Sequence, residues 1–446
     1  MDKLRVRFAP SPTGLLHVGN ARVALVNWLF AKSRAGEFVL RLDDTDVGRS
    51  EERFAEAIER DLAWLGLVPD ARMRQSAKLE VYRATLDRLK QTGHVYPCFE
   101  TGEELEYKRR RAQRAGKPPI YDREALGLSA PEREKLIAEG RRPHWRFKLE
   151  EGEITWTDLV RGPQRFEGKH LSDPVVVRED GAFLYMLPSV IDDADLEISH
   201  VIRGEDHVVN TAVQILMFKA LGAPVPSFAH LPLLVDAQGA NLSKRLGSLS
   251  LGDLRDQGIE PMAVASLLAR LGTADAIAPV ARLEDLAAGF DFSRFGRASP
   301  RFDPDELSRL NARLLHGMTF AEAAPRLAAL GLALADARFW AAVRPNLARF
   351  AEVKNWYDAC FGEVPPPGGE ALEFLRAAVE ILPPEPWDDG TWGVWSRALG
   401  AATGRKGAQL FGPLRRALTG REHGPEMKVL LPLIGRERTL KRLGVS

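Results

Sequence analysis

Residues 3–9 (KLRVRFA) alternate polar and apolar side chains as a strand does, and PSPTG at 10–14 ends the alternation with turn chemistry. A helical pattern follows from about Asn20 to Lys32, with Gly36 placed to stop it. EFVLRL at 37–42 reads as a second short apolar strand, which breaks into the acidic run Asp43, Asp44, Thr45, Asp46. Phe54, Ile58, Leu62 and Leu65 then recur at spacings of four, four and three, an apolar helix face. Strand, helix, strand, helix with short connections predicts a parallel sheet of the Rossmann kind. The pattern loosens after Pro97. Residues 98–185 mix a basic helix, the turn-rich GKPPIYDRE and short strands such as HWRFKL and DPVVVRED, as an insertion between two halves of one α/β domain would. Strand signals return at ISHVIRGED (198–206), a helix at 211–221 follows, and HLPLLVDAQGANLSKR closes the unit. From about residue 250 the chain is Ala/Leu-rich and helical, with VPPPGG and LPPEPWDDG as loops.

Length and charge narrow this picture. The 446 residues are enough for roughly three domains. Lys+Arg 62 against Asp+Glu 61 leaves a net charge of +1, so the chain is neither an acidic tail nor a basic coat. Basic residues concentrate in Lys108–Lys117 and from Arg405 onward, where ten Lys/Arg face three acids. Each patch alone reads as a solvated helix face; together they suit a phosphate backbone. No apolar run approaches the ~18 residues of a membrane span. The start MDKLRVRFAP lacks an apolar signal core, so a cytoplasmic protein without a membrane partner is expected. Cys98 and Cys360 cannot form a disulfide framework or a four-thiolate metal site.

Candidate chemistry lies at three places. RFAPSPTGLLHVGN (Arg7 to Asn20) carries His17, Gly19 and Asn20 to the mouth of a helix, where free N–H groups attract anions. Gly19 allows close approach to the backbone, and His17 can donate to phosphate oxygens. The string is neither a P-loop nor a GxGxxG fingerprint. RLDDTD (Arg41 to Asp46) puts carboxylates at a strand's carboxyl end, where open α/β sheets bind ligands. One of Asp44, Thr45 and Asp46 would also serve as a helix N-cap. NLSKR (Asn241 to Arg245) sets a lysine in a polar loop after an apolar strand.

In this order and spacing the three resemble the class I aminoacyl-tRNA synthetases. HVGN is similar to their HIGH signature and LSKR to KMSKS. RFAPSPTGxxHxGN, the DTD run and VIRGEDH at 201–207 resemble the glutamyl-tRNA synthetases of bacterial type. The resemblance implies a Rossmann-type catalytic domain at 1–96 and 186–245, interrupted by an α+β, acceptor-end-binding insertion at 97–185. It further implies a stem-contact region at 246–312 and an all-α anticodon-binding half at 313–446. The implied reaction activates L-glutamate with ATP and Mg2+, then transfers it to the 3′ end of tRNA(Glu). By resemblance, His17, Gly19, Asn20 and Lys244 carry the chemistry, and ATP is held by Ser243, Lys244, Arg245, Glu205 and Asp206. Glutamate falls to Arg7, Ala9, Ser11, Asp43, Tyr185, Ser189 and Arg203, with Asp43 on the α-ammonium and the arginines on the carboxylates in an order left open. A monomer is expected.

Two pocket positions depart from the family pattern: Asp43 stands where glutamate is usual, and Ser189 where asparagine is frequent. Some members bind zinc through Cys-x-Cys; here Cys98-Phe99-Glu100 breaks the pair and His94 is the histidine close to it in sequence, so no zinc is expected. Alternatives are a non-discriminating or tRNA(Gln)-directed enzyme, and a catalytically dead tRNA-binding paralogue, against which His17, Lys244 and both arginines argue. A shorter, base-modifying paralogue is disfavoured by the helical half, and a glutamine enzyme by the lack of β-barrel patterning in 300–446.

Overall fold

The computed structural model describes residues 3–46, 48–240, 242, 250–364 and 372–444. The chain divides into two compact units, Met1–Gln257 with Val264–Asp303, and Gly258–Ala263 with Pro304–Ser446.

The first unit is built on a five-stranded parallel sheet. Its strands are β1 (Arg5–Phe8), β2 (Glu37–Leu42), β3 (Ala71–Arg74) and, after the insertion, two more. Helix α1 (Val18–Lys32) connects β1 to β2, and α2 (Glu52–Trp64) connects β2 to β3. Eleven residues of α1 are buried, because its sequence is apolar on nearly every side, as a helix covered by a sheet and its neighbours must be. The helix begins at Val18, ahead of the Asn20 start expected from the pattern, because His17 caps it. It ends at Lys32, as the pattern predicts, four residues before Gly36, where a Cβ would lie 2.4 Å from the Leu4 side chain. β3 (ARMR) has no apolar pattern and was invisible in the sequence; it is an edge strand, largely exposed and held by pairing with β2.

After α3 (Leu79–Gln91) the insertion contributes β4 (Val95–Cys98), α4 (Gly102–Arg114), α5 (Ala130–Ala138), β5 (His144–Phe147), the hairpin β6 (Glu153–Asp158) and β7 (Gly162–Glu167), and β8 (Val175–Val177). β4, β5 and β8 make a small antiparallel sheet. The hairpin lies against the main sheet: Trp156 meets Phe228 edge-on and Leu159 N–H donates to Phe228 O at 2.9 Å. The chain returns through α6 (Met186–Asp195), β9 (His200–Gly204), α7 (Val208–Leu221) and β10 (Ser227–Leu231). The last strand is SFAHL, a few residues before the apolar run from which a strand was expected.

The sheet order β10-β9-β1-β2-β3 puts β1 between β2 and β9. Strand order therefore reverses beside β1, and the crevice beyond the carboxyl ends of β1 and β9 is where such a sheet binds ligands. The second unit is helical among its described residues, from Pro304–Gly317 to Arg436–Arg442. Trp340 and Trp395 fill its core, and their indole N–H groups donate to Met318 O and Ala378 O, both at 2.9 Å. No helix of the described residues is long and apolar enough to cross a membrane.

Candidate active site

The crevice at the switch point has a volume of about 650 Å³. Of the residues singled out in the sequence, Arg7, Ala9, Ser11, His17, Gly19, Asn20, Asp43, Tyr185, Ser189, Arg203 and Asp206 line it. Glu205 does not: Arg161 and the Leu233 N–H occupy its carboxylate. Ser243, Lys244 and Arg245 lie outside the described residues.

At the mouth of α1 the His17 Nδ1 accepts the Gly19 N–H at 3.0 Å, and Asn20 Oδ1 accepts the His17 N–H. With Nδ1 acting as an acceptor, the ring proton sits on Nε2. Burial lowers the imidazole pKa, so His17 is a neutral donor. Gly19 has a packing reason as well as an approach reason: a Cβ there would stand 2.9 Å from His17 Cε1. The acidic run does not cap α2, whose N-cap is Glu51. Asp44 instead accepts from Ser76 N–H and Oγ, each at 2.8 Å.

Three buried guanidinium groups stand at the ends of adjacent strands: Arg41 on β2, Arg7 on β1 and Arg203 on β9. Arg41 grips Asp43 with Nε (2.7 Å) and Nη2 (3.1 Å). Its Nη1 donates to Asp193 Oδ1 at 2.7 Å, and Nη2 meets Ser189 Oγ at 3.3 Å. The same Asp193 oxygen accepts Arg7 Nε at 3.0 Å. Arg7 and Arg41 are thus each compensated by a buried carboxylate. Arg203 is not. Its Nη2 donates to Thr211 Oγ1 and Gln214 Oε1, both at 2.7 Å, and its Nε faces His230 Nε2 at 3.4 Å. No carboxylate among the described residues pairs with it. Burial, then the neighbouring Arg7, pull its pKa down to about 10. A buried cation with only neutral partners is costly unless an anion arrives. Burial also pushes the Asp43 carboxyl up, against the pull of Arg41.

Arg41, Asp193, Thr211, Gln214 and His230 were not singled out from the sequence. Asp193 sits in the acidic run IDDADLE, and its role depends on strands far away in the chain.

Strand pairing also corrects the histidine expected near Cys98. β4 and β5 set Cys98 directly opposite His144, and the possible ligand atoms of Cys98, Glu100 and His144 lie within 4.8 Å of one another. Glu100 Oε2 and His144 Nε2 have no hydrogen-bond partner, so the cluster has donors to spare. It nevertheless fits a structural zinc ion poorly. Burial pushes the Cys98 thiol up to about 11, Lys108 already places a cation on Glu100, and the set holds three ligands where four are usual.

A Rossmann sheet that reverses its order beside a strand–turn–HxGN helix mouth defines the catalytic fold of the class I aminoacyl-tRNA synthetases. Residues 3–309 match the family of class I tRNA synthetase catalytic domains (E and Q), and residues 339–445 match an anticodon binding domain. The chain is 59% identical to glutamate–tRNA ligase 2 of Methylobacterium sp. (strain 4-46) and 58% identical to glutamate–tRNA ligase of Azospirillum brasilense, in each case over 98% of both chains. A crystal structure of a glutamate tRNA ligase from Elizabethkingia meningosepticum in complex with its amino acid superposes with a TM-score of 0.86 at 27% identity, covering 99% of this chain and 98% of that one. The chain belongs to the glutamate–tRNA ligase family.

Proposed function

We propose that the chain joins L-glutamate to the 3′ end of tRNA(Glu) in the cytoplasm, as a monomer, using ATP with Mg2+ and no zinc. The observation that carries the amino-acid assignment is Arg203, a buried guanidinium whose side-chain partners are all neutral. It is the arginine that takes the substrate's side-chain carboxylate. Leaving it against an amide would strand a buried charge, a penalty of about 3–5 kcal/mol. Arg7, whose Nε is held by Asp193, has its remaining N–H groups for a second contact. Asp43 receives the α-ammonium, while Ala9, Ser11, Tyr185 and Ser189 complete the wall.

In the first step a glutamate α-carboxylate oxygen attacks the α-phosphorus of ATP and pyrophosphate leaves. In the second, a hydroxyl of the terminal ribose attacks the acyl carbon and AMP leaves. Both nucleophiles belong to substrates, so the protein's part is positioning and electrostatics. His17 Nε2–H and Asn20 bind phosphate oxygens at the positive end of α1, with Gly19 between them. Ser243, Lys244 and Arg245 bind ATP, with Asp206 on the nucleotide side, and Lys244 meets the charge that grows on pyrophosphate. Mg2+ supplies neutralising charge on the phosphates. The insertion (97–185) holds the acceptor end, residues 246–312 the stem, and residues 313–446 the anticodon.

The test is aminoacylation with glutamate and with glutamine, on tRNA(Glu) and tRNA(Gln) side by side. Glutamate on tRNA(Glu) should dominate. Equal charging by glutamine would sink the pocket assignment, and glutamate charged onto tRNA(Gln) would convict only the tRNA choice.

A further inference from the structure

Asp158 ends β6 in the insertion, yet its carboxylate is wholly buried against the main sheet. One oxygen, Oδ1, accepts three backbone N–H groups: Val160 at 3.0 Å, Arg161 at 2.9 Å and His230 at 3.1 Å. The other, Oδ2, meets His230 Nδ1 at 2.6 Å. His230 on β10 is itself fully buried. An ionised carboxylate can only accept, so the ring proton is on Nδ1 and Nε2 carries a lone pair. That lone pair faces Arg203 Nε–H at 3.4 Å and the Thr211 hydroxyl at 2.9 Å, which also lies 3.3 Å from His207 O. Thr211 in turn accepts Arg203 Nη2 at 2.7 Å. Protonation states fit this arrangement. Burial keeps the imidazole below its ordinary pKa, and although burial raises the Asp158 carboxyl, the His230 and backbone N–H groups outweigh it and hold it low.

We propose that Asp158 and His230 are positioning residues for Arg203: by fixing one imidazole tautomer they aim the guanidinium at the substrate carboxylate without neutralising it. The proposal rests on the reading that Arg203 takes that carboxylate. A carboxylate placed directly on Arg203 would compete with the substrate for the same charge. Setting the acid one imidazole away gives Arg203 a fixed acceptor and leaves its charge for the ligand. Nε and Nη2 are turned inward on His230, Thr211 and Gln214, so Nη1 is the edge left for the crevice. Because Asp158 belongs to the hairpin, the insertion supplies the outermost member of the network that sets the pocket.

Asp158→Asn tests the tautomer. Its amide would donate to Nδ1 and drive the proton to Nε2, where it would oppose the Arg203 Nε–H and force the Thr211 hydroxyl to accept, with its own proton turned to His207 O. The glutamate KM should rise roughly tenfold or more while the ATP KM stays within about twofold. His230→Gln, which can set an amide oxygen near the Nε2 position, should retain more glutamate affinity than His230→Asn, which cannot. A purely structural pin would lower the melting temperature of these variants without moving the ratio of the two KM values, and that result would overturn the proposal. Nitrogen NMR of the unmodified protein keeps the question open to refutation even if Asp158→Asn fails to fold: the His230 ring, identified by its loss in His230→Gln, must show an unprotonated Nε2. A protonated Nε2 would overturn it. Arg203→Leu separates the two layers. If it leaves the glutamate KM unchanged, the reading beneath the proposal fails; if it raises the KM while Asp158→Asn does not, the proposal alone fails.

Discussion

Whether a buried arginine is structural or receptive depends on what already faces it. Arg41 is saturated by Asp43 and Asp193, and it serves to hold Asp43 at the rim of the crevice. Arg442 in the helical unit shows the structural extreme: buried, it donates to the carbonyls of Ala359, Leu418, Cys360 and Gly362. It was counted from the sequence among basic residues suited to RNA, but its charge satisfies backbone acceptors where chain segments meet. Asp43, the residue shorter than the family's usual glutamate, has both oxygens on Arg41, so a second donor such as an ammonium must share them. Lys244 is the residue from which the largest kinetic effect is expected. Lys244→Ala should slow adenylate formation by roughly a hundredfold or more, the scale of losing one preorganised transition-state donor. ATP affinity should change far less, because the charge that the lysine meets develops during reaction. Pre-steady-state rates that barely moved would leave Lys244 without a part in adenylate formation.

At the scale of elements, what was readable was whatever repeats within a few residues. The apolar faces of α1 and α2, the strands β1 and β2, and the turn between β1 and α1 follow from local periodicity and turn chemistry. β3 was not readable, since its pairing with β2 and not its side chains makes it a strand. The register of β4 on β5 likewise brings His144 to Cys98, although they are far apart in the chain. That register sharpens the expectation about zinc. The protonated thiol and the Lys108–Glu100 pair predict that elemental analysis of protein purified without added metal will find well under one zinc per chain. One equivalent retained through chelator treatment would show that a metal displaces the Cys98 proton and completes its ligand set from this cluster.

For the whole molecule, the histidines set a pH limit on stability. His17, His144, His200, His207 and His230 all have pKa values lowered by burial from 6.5, His207 to about 4. The unfolded chain therefore binds more protons than the folded one as pH falls below about 6.5, and stability must fall with it. Their contribution is complete above that pH and is lost progressively toward the lowered folded-state values. The melting temperature should be level between pH 7 and 8 and decline between pH 6.5 and 5. A flat profile across that window would mean that these rings are protonated in the folded protein. The same measurement bears on the active site, because a charged His17 would lose its Nδ1 acceptor and with it the bond to Gly19 N–H.

The sequence by itself determined the opening strand, helix, strand, helix order, the turn that leads to HVGN, the acidic run at the end of β2, the resemblance to the synthetases and the helical character of the second half. Those are properties of neighbours along the chain: turn residues, apolar spacing and short motifs act over a few bonds. Only the tertiary structure decided which buried charges are matched. Parallel pairing of β9, β1 and β2 makes neighbours of Arg203, Arg7 and Arg41, and α6 brings one Asp193 oxygen to two of them. The hairpin of the insertion carries Asp158 to His230, 72 residues further on. Electrostatic compensation depends on distance in space and on desolvation, neither of which is written in the local pattern, so the unmatched arginine becomes visible only when the strands are in register.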